Sequence, residues 1–241
     1  MFDLHSHILP GLDDGAKSLE ESMAILRVAA GDGIKGIAAT PHGKDVREAG
    51  ALGRVFEHVE TLNRRAAEEA LDIKIYVGME NHLTPDLPEL TATGQALLIN
   101  DGPYILVELP FDSLPDCTDV VLAGLQRQGL IPLIAHPERQ ADIQRDPSVM
   151  GGLAEMGMLG QLTSTCILGR FGGEARDTAE VLLREGWVHV IATDCHRPSG
   201  PRAPVMAEAV SVAGSIVGAE KARAMSMDVP EAVLMGSVIA T

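Results

Sequence analysis

The sequence predicts an α/β fold in which helices cover a parallel sheet, and three observations point there. Short apolar runs alternate with amphipathic helical patterns, the mark of repeated βα units. Most of the runs are continuously apolar, as strands buried on both faces must be. The chain has 241 residues and 46% hydrophobic content, enough for one sizeable core and a common size for a single α/β barrel. A barrel and a doubly wound sheet both fit, and each collects function at the carboxyl ends of its strands.

The elements follow in order. Ser18-Leu19-Glu20-Glu21 reads as a capping box opening a helix through Ala30, which Gly31 and Gly33 end. A strand over 34–40 comes next. Val46 to about Ala70 reads as one helix, with Val55, Val59 and Leu62 on its apolar face. A strand over 73–79 leads into an irregular stretch containing Pro85 and Pro88. Residues 96–99 read as a short strand before the Asp101-Gly102 turn. Residues 104–109 form a strand, 116–128 a helix and 131–135 a strand. Helices are expected over 142–156, 174–185 and 204–217, with strands near 159–162 and 188–193. No internal repeat or linker interrupts this order, so one domain over 1–241 is expected.

Composition narrows the function. Aromatics make up only 3%, so Leu, Val, Ile, Ala and Met must fill the core. No stretch approaches the roughly 18 consecutive apolar residues of a membrane span. The amino terminus lacks the basic flank and apolar run of a signal peptide, so a cytoplasmic location without membrane insertion is expected. The formal charge of −15 is spread along the chain, and Arg64-Arg65 is the sole basic cluster. Nucleic-acid binders draw most of their affinity from basic contacts to phosphate, so no nucleic-acid partner is expected. Cys117, Cys166 and Cys195 lie far apart with no C-x-x-C spacing, which reads as reduced thiols.

The polar residues that break the apolar runs carry the chemistry. His5 and His7 lie two residues apart, and side chains at i and i+2 of an extended chain point the same way. Further runs end in His42, Glu80, Glu108 and His136, and the last ends in Asp194 and His196 with the same two-residue spacing. Burying so many ionisable groups at one end of a core is costly without compensating cations. Mixed imidazole and carboxylate donors suit manganese, iron or zinc, and these groups exceed the needs of one ion. A cluster of two or three ions is implied. His82 shares parity with Glu80 and could line the same pocket, whereas His189 has parity opposite to Asp194 and should point away.

These blocks have a family likeness. The stretch from His5 to Gly15 (HSHILPGLDDG) resembles the opening signature of bacterial tyrosine phosphatases in the PHP (polymerase and histidinol phosphatase) superfamily, encoded with capsule and exopolysaccharide genes. The likeness continues through Thr40-Pro41-His42, Gly78-Met79-Glu80, Val107-Glu108-Leu109-Pro110, Ala135-His136-Pro137-Glu138-Arg139 and Thr193-Asp194-Cys195-His196, in the family's order. It implies a distorted (β/α)7 TIM-like barrel, the PHP fold, with two or three ions, manganese foremost and iron or zinc possible. The implied ligands are His5, His7, Asp14, His42, Glu80, Glu108, His136, Asp194 and His196. Arg139 matches the phosphate-holding arginine; Arg202 is the nearest match to a second, with Arg197 its competitor. Asp13, beside Asp14, is placed as an acid or as a support for the ligands. The implied substrate is a phosphotyrosine protein, the autophosphorylating tyrosine kinase that regulates polysaccharide synthesis. Gly43 and Gln140 depart from the family's usual second His and Tyr.

Phosphomonoester hydrolysis by a metal-activated water suits such a site, with Arg139 sharing the phosphoryl group's developing charge. A cysteine mechanism does not, because it needs an arginine six positions after the thiol. Those positions after Cys117, Cys166 and Cys195 are Ala123, Gly172 and Pro201. Two other functions share the ligands. One is a small-molecule phosphatase acting on histidinol phosphate or a nucleotide, which a substrate panel separates. The other is a non-catalytic regulatory module that retains metal, which predicts no turnover.

Overall fold

The apolar runs become parallel strands, and helical chain returns all but one of them to the start of the next. The computed structural model describes residues 1–239. Strand β1 (Phe2–Asp3) leads to helix α1 (Leu19–Gly31), and β2 (Gly36–Ala39) to α2 (Gly43–Glu48) and α3 (Leu52–Glu68). β3 (Lys74–Val77) runs almost directly into β4 (Glu80–His82), followed by α4 (Leu87–Ala92). β5 (Tyr104–Glu108) is followed by α5 (Thr118–Arg127), and β6 (Ile131–Ala135) by α6 (Ala141–Arg145) and α7 (Ser148–Glu155). β7 (Leu159–Thr163) precedes α8 (Ser164–Ile167) and α9 (Gly173–Glu185). β8 (Val190–Ala192) precedes α10 (Ala207–Val217), α11 (Ala219–Ser226) and α12 (Asp228–Leu234).

Hydrogen bonding divides the strands into two parallel sheets, β1-β2-β3 and β4-β5-β6-β7-β8. Single parallel bridges, His42 to Glu80 and Ser6 to Cys195, join the sheets at both margins. β3 and β4 are therefore two halves of one strand broken at Gly78-Met79, and seven strand positions close the ring. This is the distorted (β/α)7 barrel.

Alternate strand residues feed two cores, which is why the runs are continuously apolar. Leu106, Leu133, Leu159 and Val190 pack inside the ring, with Val233 and Leu234 of α12 against the same cluster. Ile37, Val107, Ile134 and Ile191 belong to the larger cluster that includes Leu26 of α1, Leu122 of α5 and Leu182 of α9. Burying one such side chain is worth about 1.5–3 kcal/mol, so both clusters hold the strands in register.

Four sequence expectations are corrected. The helix over 46–70 is two helices, because α2 ends in a Schellman turn: Gly50 adopts φ +60° and the Ala51 N–H reaches the Val46 carbonyl at 2.9 Å. The helix over 142–156 also divides, since Pro147 forces Asp146 into an extended conformation. The irregular stretch around Pro85 and Pro88 holds α4, where Pro88 sits in the first turn and needs no amide partner. Residues 96–99 form no strand; they lead into a short 3-10 turn at Ile99–Asp101, with Asn100 at φ 47°. Helices α11 and α12 are additional to the elements that the sequence predicts. No helix among the described residues is long and apolar enough to cross a membrane.

Candidate metal centre

The two-residue period of the strands carries the inner apolar layer directly into a polar one. Leu106, Leu159 and Ala192 belong to the inner cluster, and two residues on stand Glu108, Gln161 and Asp194, all buried. These meet the histidines from β1, β2 and β6. His5 Nε2 lies 3.3 Å from Glu80 Oε1 and 3.6 Å from Asp194 Oδ1. His7 Nε2 lies 3.4 Å from both Glu80 Oε2 and Asp194 Oδ1. His136 Nε2 is 3.0 Å from Glu80 Oε1 and 3.7 Å from Glu108 Oε1. His42 Nδ1 is 2.8 Å from Glu80 Oε2, and His196 Nε2 is 3.1 Å from Asp14 Oδ1. All nine expected ligands thus form one contiguous cluster, and Asp14, His42, Glu80, Glu108, His136 and Asp194 line a cavity of about 360 Å3.

Ligand atoms close enough to share an ion fall into three groups within this cluster: His5, His7 and Glu80; Glu80, Glu108 and His136; and His7, Asp14, His42 and His196. Asp194 touches His5 and His7 and so belongs with the first. His7 has one free nitrogen for its two groups, because its Nδ1 donates to Asp13 Oδ2 at 2.7 Å.

The donors fit cations. His5 Nδ1 bonds Gln161 Oε1 at 2.9 Å, which leaves the Nε2 lone pairs of the two buried rings, His5 and His7, facing each other at 3.2 Å. Glu80 Oε2, His42 Nδ1 and His196 Nε2 are buried without a well-aligned hydrogen bond, although Glu80 Oε2 and His42 Nδ1 lie 2.8 Å apart. Buried polar atoms are almost always satisfied, and cations held by the separate groups would satisfy these. Protonation favours ligation at the carboxylates. Burial pushes Glu80 and Asp194 up, but the neighbouring histidines outweigh it and hold both well below the usual carboxylate range. Burial and the nearby His7 lower His196 to about 4, which keeps that ring neutral. His136 and Asp194 adopt φ of 32° and 50°, left-handed conformations that cost of order 1 kcal/mol or more each. Gly15 is required where the loop after Asp14 crosses His7, since a Cβ there would lie 2.0 Å from the His7 carbonyl oxygen.

Two arginines reach the cavity. Arg139 Nη1 donates to Asp194 Oδ2 at 2.9 Å, and its guanidinium lies over the rings of Phe111 (4.7 Å) and Phe171 (5.1 Å). Arg202 Nη1 lies 3.2 Å from Asp14 Oδ2, and its Nη2 3.4 Å from Asp194 Oδ1. Arg197 instead donates to the carbonyls of Gly15 and His196, outside the cavity lining. Asp13 is enclosed: besides His7, it accepts from the backbone amides of Gly15 and His42.

Gln161, Phe111 and His82 add to the expected ligands and arginines. Gln161 orients His5, and its signal was a lone amide two residues after Leu159 in an apolar strand. Phe111 follows the Glu108-Leu109-Pro110 strand end, stacks on His136 at 22° and is 41% exposed at the mouth. His82 lines the cavity, on the side its parity with Glu80 predicts, and His189 lies away from it with Nδ1 accepting from the Gly160 amide. Gln140 accepts from the Ile143 amide and donates to the Pro110 carbonyl, tying down the loop that carries Phe111. At Gly43 a Cβ would meet Met79 Sδ at 2.8 Å. Cys166 and Cys195 are buried, and burial pushes both thiols up, away from nucleophilic use.

Comparison with known proteins matches residues 1–235 to the family described as capsular polysaccharide synthesis, CpsB/CapC. The chain is 36% identical over 196 residues to the tyrosine-protein phosphatase YwqE of Bacillus subtilis, covering 81% of this chain and 77% of that one. It is 30% identical over 244 residues to the tyrosine-protein phosphatase CpsB of Streptococcus pneumoniae, covering 99% and 100% respectively. A crystal structure from the pair YwqE of Bacillus subtilis and CpsB of Streptococcus pneumoniae, described as unique metal-dependent tyrosine phosphatases, superposes with a TM-score of 0.93 at 33% identity. It covers 100% of this chain and 96% of that one. Histidinol phosphate phosphatase from Lactococcus lactis shares the fold at a TM-score of 0.55 and 13% identity.

Proposed function

The chain belongs to the CpsB/CapC family of capsular polysaccharide synthesis, and from that premise we propose that it is a metal-dependent protein-tyrosine phosphatase. One observation carries the reading: imidazoles and carboxylates that fit cations line one cavity together with two guanidiniums. The ions would be held by His5, His7, Glu80 and Asp194, by Glu80, Glu108 and His136, and by Asp14, His42 and His196. When bound, they supply Lewis acidity and a water acidified into the neutral range. Manganese suits this mixture of carboxylate oxygens and imidazoles, with iron or zinc as competitors.

Within the protein, Arg139 and Arg202 hold the phosphate. Each is anchored to carboxylates of the cluster, Arg139 to Asp194 and Arg202 to Asp14 and Asp194, and each lines the cavity. Planar guanidiniums match phosphate oxygens two at a time. Asp13 keeps the His7 proton on Nδ1 and so points the Nε2 lone pair into the cluster. A phenolate, with a conjugate pKa of about 10, leaves without strong acid assistance, so a tyrosyl ester needs no dedicated proton donor here. Phe111 offers the phenyl group an apolar face beside Arg139.

The substrate we assign is a phosphotyrosine protein, the autophosphorylating tyrosine kinase of polysaccharide synthesis. We place the reaction in the cytoplasm, where the kinase's nucleotide is found, and assign residues 1–241 to one domain. The test is hydrolysis of phosphotyrosine peptides and of histidinol phosphate by metal-analysed protein supplied with manganese, iron or zinc. Turnover of the peptide with manganese is expected. Hydrolysis of the small ester alone would overturn the substrate, and absence of any turnover would overturn the activity.

A further inference from the structure

His82 stands outside the nine ligands proposed for hydrolysis, yet it is built into the mouth of their cavity. It lies on β4 two residues beyond Glu80, so the same parity that sends Glu80 to the cavity base places His82 on the same side. Its Nε2 is 2.9 Å from Glu108 Oε2, while the other oxygen of Glu108 faces His136 at 3.7 Å. The rings of His82 and His42 lie 5.5 Å apart, and His42, His82 and Glu108 each offer a ligand atom within 4.8 Å of the others. The His82 side chain is 38% exposed, so an ion can reach this group from solvent and keep water as a remaining ligand.

We propose that His82, His42 and Glu108 form an outer zinc site at the mouth, overlapping the hydrolytic ligands, whose occupation inhibits the enzyme. Two imidazoles and one carboxylate are a donor set that four-coordinate zinc favours, with one position left for water. Such a set binds zinc more tightly than manganese, which ranks lowest among the divalent first-row ions. The site competes with hydrolysis because it draws on shared residues. His42 is also grouped with Asp14 and His196, and Glu108 with Glu80 and His136. An ion on the outer group takes His42 and one Glu108 oxygen from the hydrolytic set and stands where the ester must enter. A manganese-loaded enzyme is thereby made responsive to free zinc. The inhibition rests on the hydrolytic function proposed above; the binding does not.

The experiment titrates zinc into manganese-loaded protein, with manganese kept in excess and a chromophoric chelator reporting free zinc. Hydrolysis of a phosphotyrosine peptide is followed in parallel, for the unaltered chain and for His82→Gln. The unaltered chain is expected to take up one tight zinc per chain as its rate falls. The variant should keep its manganese content and its rate without zinc, and bind that zinc about tenfold or more weakly, with the half-inhibiting concentration rising by the same factor. Equal zinc affinity and equal inhibition in the two proteins would overturn the site, as would zinc that enters both only by expelling manganese one for one. If neither protein hydrolysed the peptide, the chelator titration would still decide whether the site exists.

Discussion

His7 donates from Nδ1 to Oδ2 of Asp13 at 2.7 Å, and both side chains are fully buried. A carboxylate can only accept there, so His7 is fixed in the tautomer whose Nε2 carries a lone pair. Asp13, holding the Gly15 and His42 amides as well, has no route to a leaving group. Asp13→Ala should therefore lower metal affinity by about 10–100-fold, the usual effect of losing a carboxylate that orients a ligating histidine. Metal content at limiting manganese measures the loss, and saturating manganese should restore most of the rate. A rate deficit that saturating metal leaves untouched would instead assign Asp13 an acid role.

The two arginines after the Asp194-His196 pair separate by what they touch. Arg202 faces the cavity beside Asp14 and Asp194, whereas Arg197 is spent on two backbone carbonyls. A hydrogen bond to a charged group is worth about 1.5–3 kcal/mol, so Arg202→Ala should lower kcat/KM by roughly 10–100-fold. Arg197→Ala should leave kcat/KM nearly unchanged and lower the melting temperature, because it unties the loop at Gly15 from the chain after His196. Steady-state kinetics beside thermal melts check both, and the reverse pattern would exchange the roles.

Strand identity and strand-end chemistry were legible in the sequence because both rest on local signals. The period of two and the continuous apolar runs locate β2, β5, β6, β7 and β8, and the residues that break those runs are the ones that meet in the polar cluster. The breaks at Gly50 and Pro147 were also local, but a strong helical pattern on either side masked them. What could not be read is what distance alone decides. The choice between Arg197 and Arg202 depends on which way the chain turns after His196. The contact between Gln161 and His5 joins residues 156 positions apart. Phe111 gave no periodic signal, since it lies in a loop whose path is set by Gln140 and by the Ala141 amide.

Phe111 leaves two-fifths of its surface exposed at a polar mouth, an unusual place for one of only four phenylalanines in the chain. Its ring lies beside Arg139 and His136, where the organic part of a phosphate ester must project. Aromatic pairs contribute about 0.5–1.5 kcal/mol beyond area burial, so Phe111→Ala should lower kcat/KM for a phosphotyrosine peptide by roughly two- to tenfold. Hydrolysis of a small alkyl phosphate should change little. A matching loss on both substrates would mean that Phe111 supports Arg139 and does not read the aryl group.

His189, on the edge of β8 away from the cavity, should make the folded state sensitive to acid. Burial, followed by the positive charge of Lys221, lowers its pKa, and its Nδ1 accepts the Gly160 amide at 3.2 Å only while unprotonated. Above the ordinary imidazole pKa of about 6.5, the residue is neutral in both the folded and the unfolded chain and adds no pH dependence. Below that value the unfolded chain takes up a proton that the folded chain refuses, so stability falls as pH falls until the folded pKa is reached. His189→Asn keeps a side-chain acceptor near the Gly160 amide and removes the titration. Urea unfolding at fixed manganese, between pH 7.5 and roughly one unit below the ordinary imidazole pKa, should show a shallower decline for the variant than for the unaltered chain. Parallel declines would assign the acid sensitivity to groups other than His189, the cluster's histidines and carboxylates foremost.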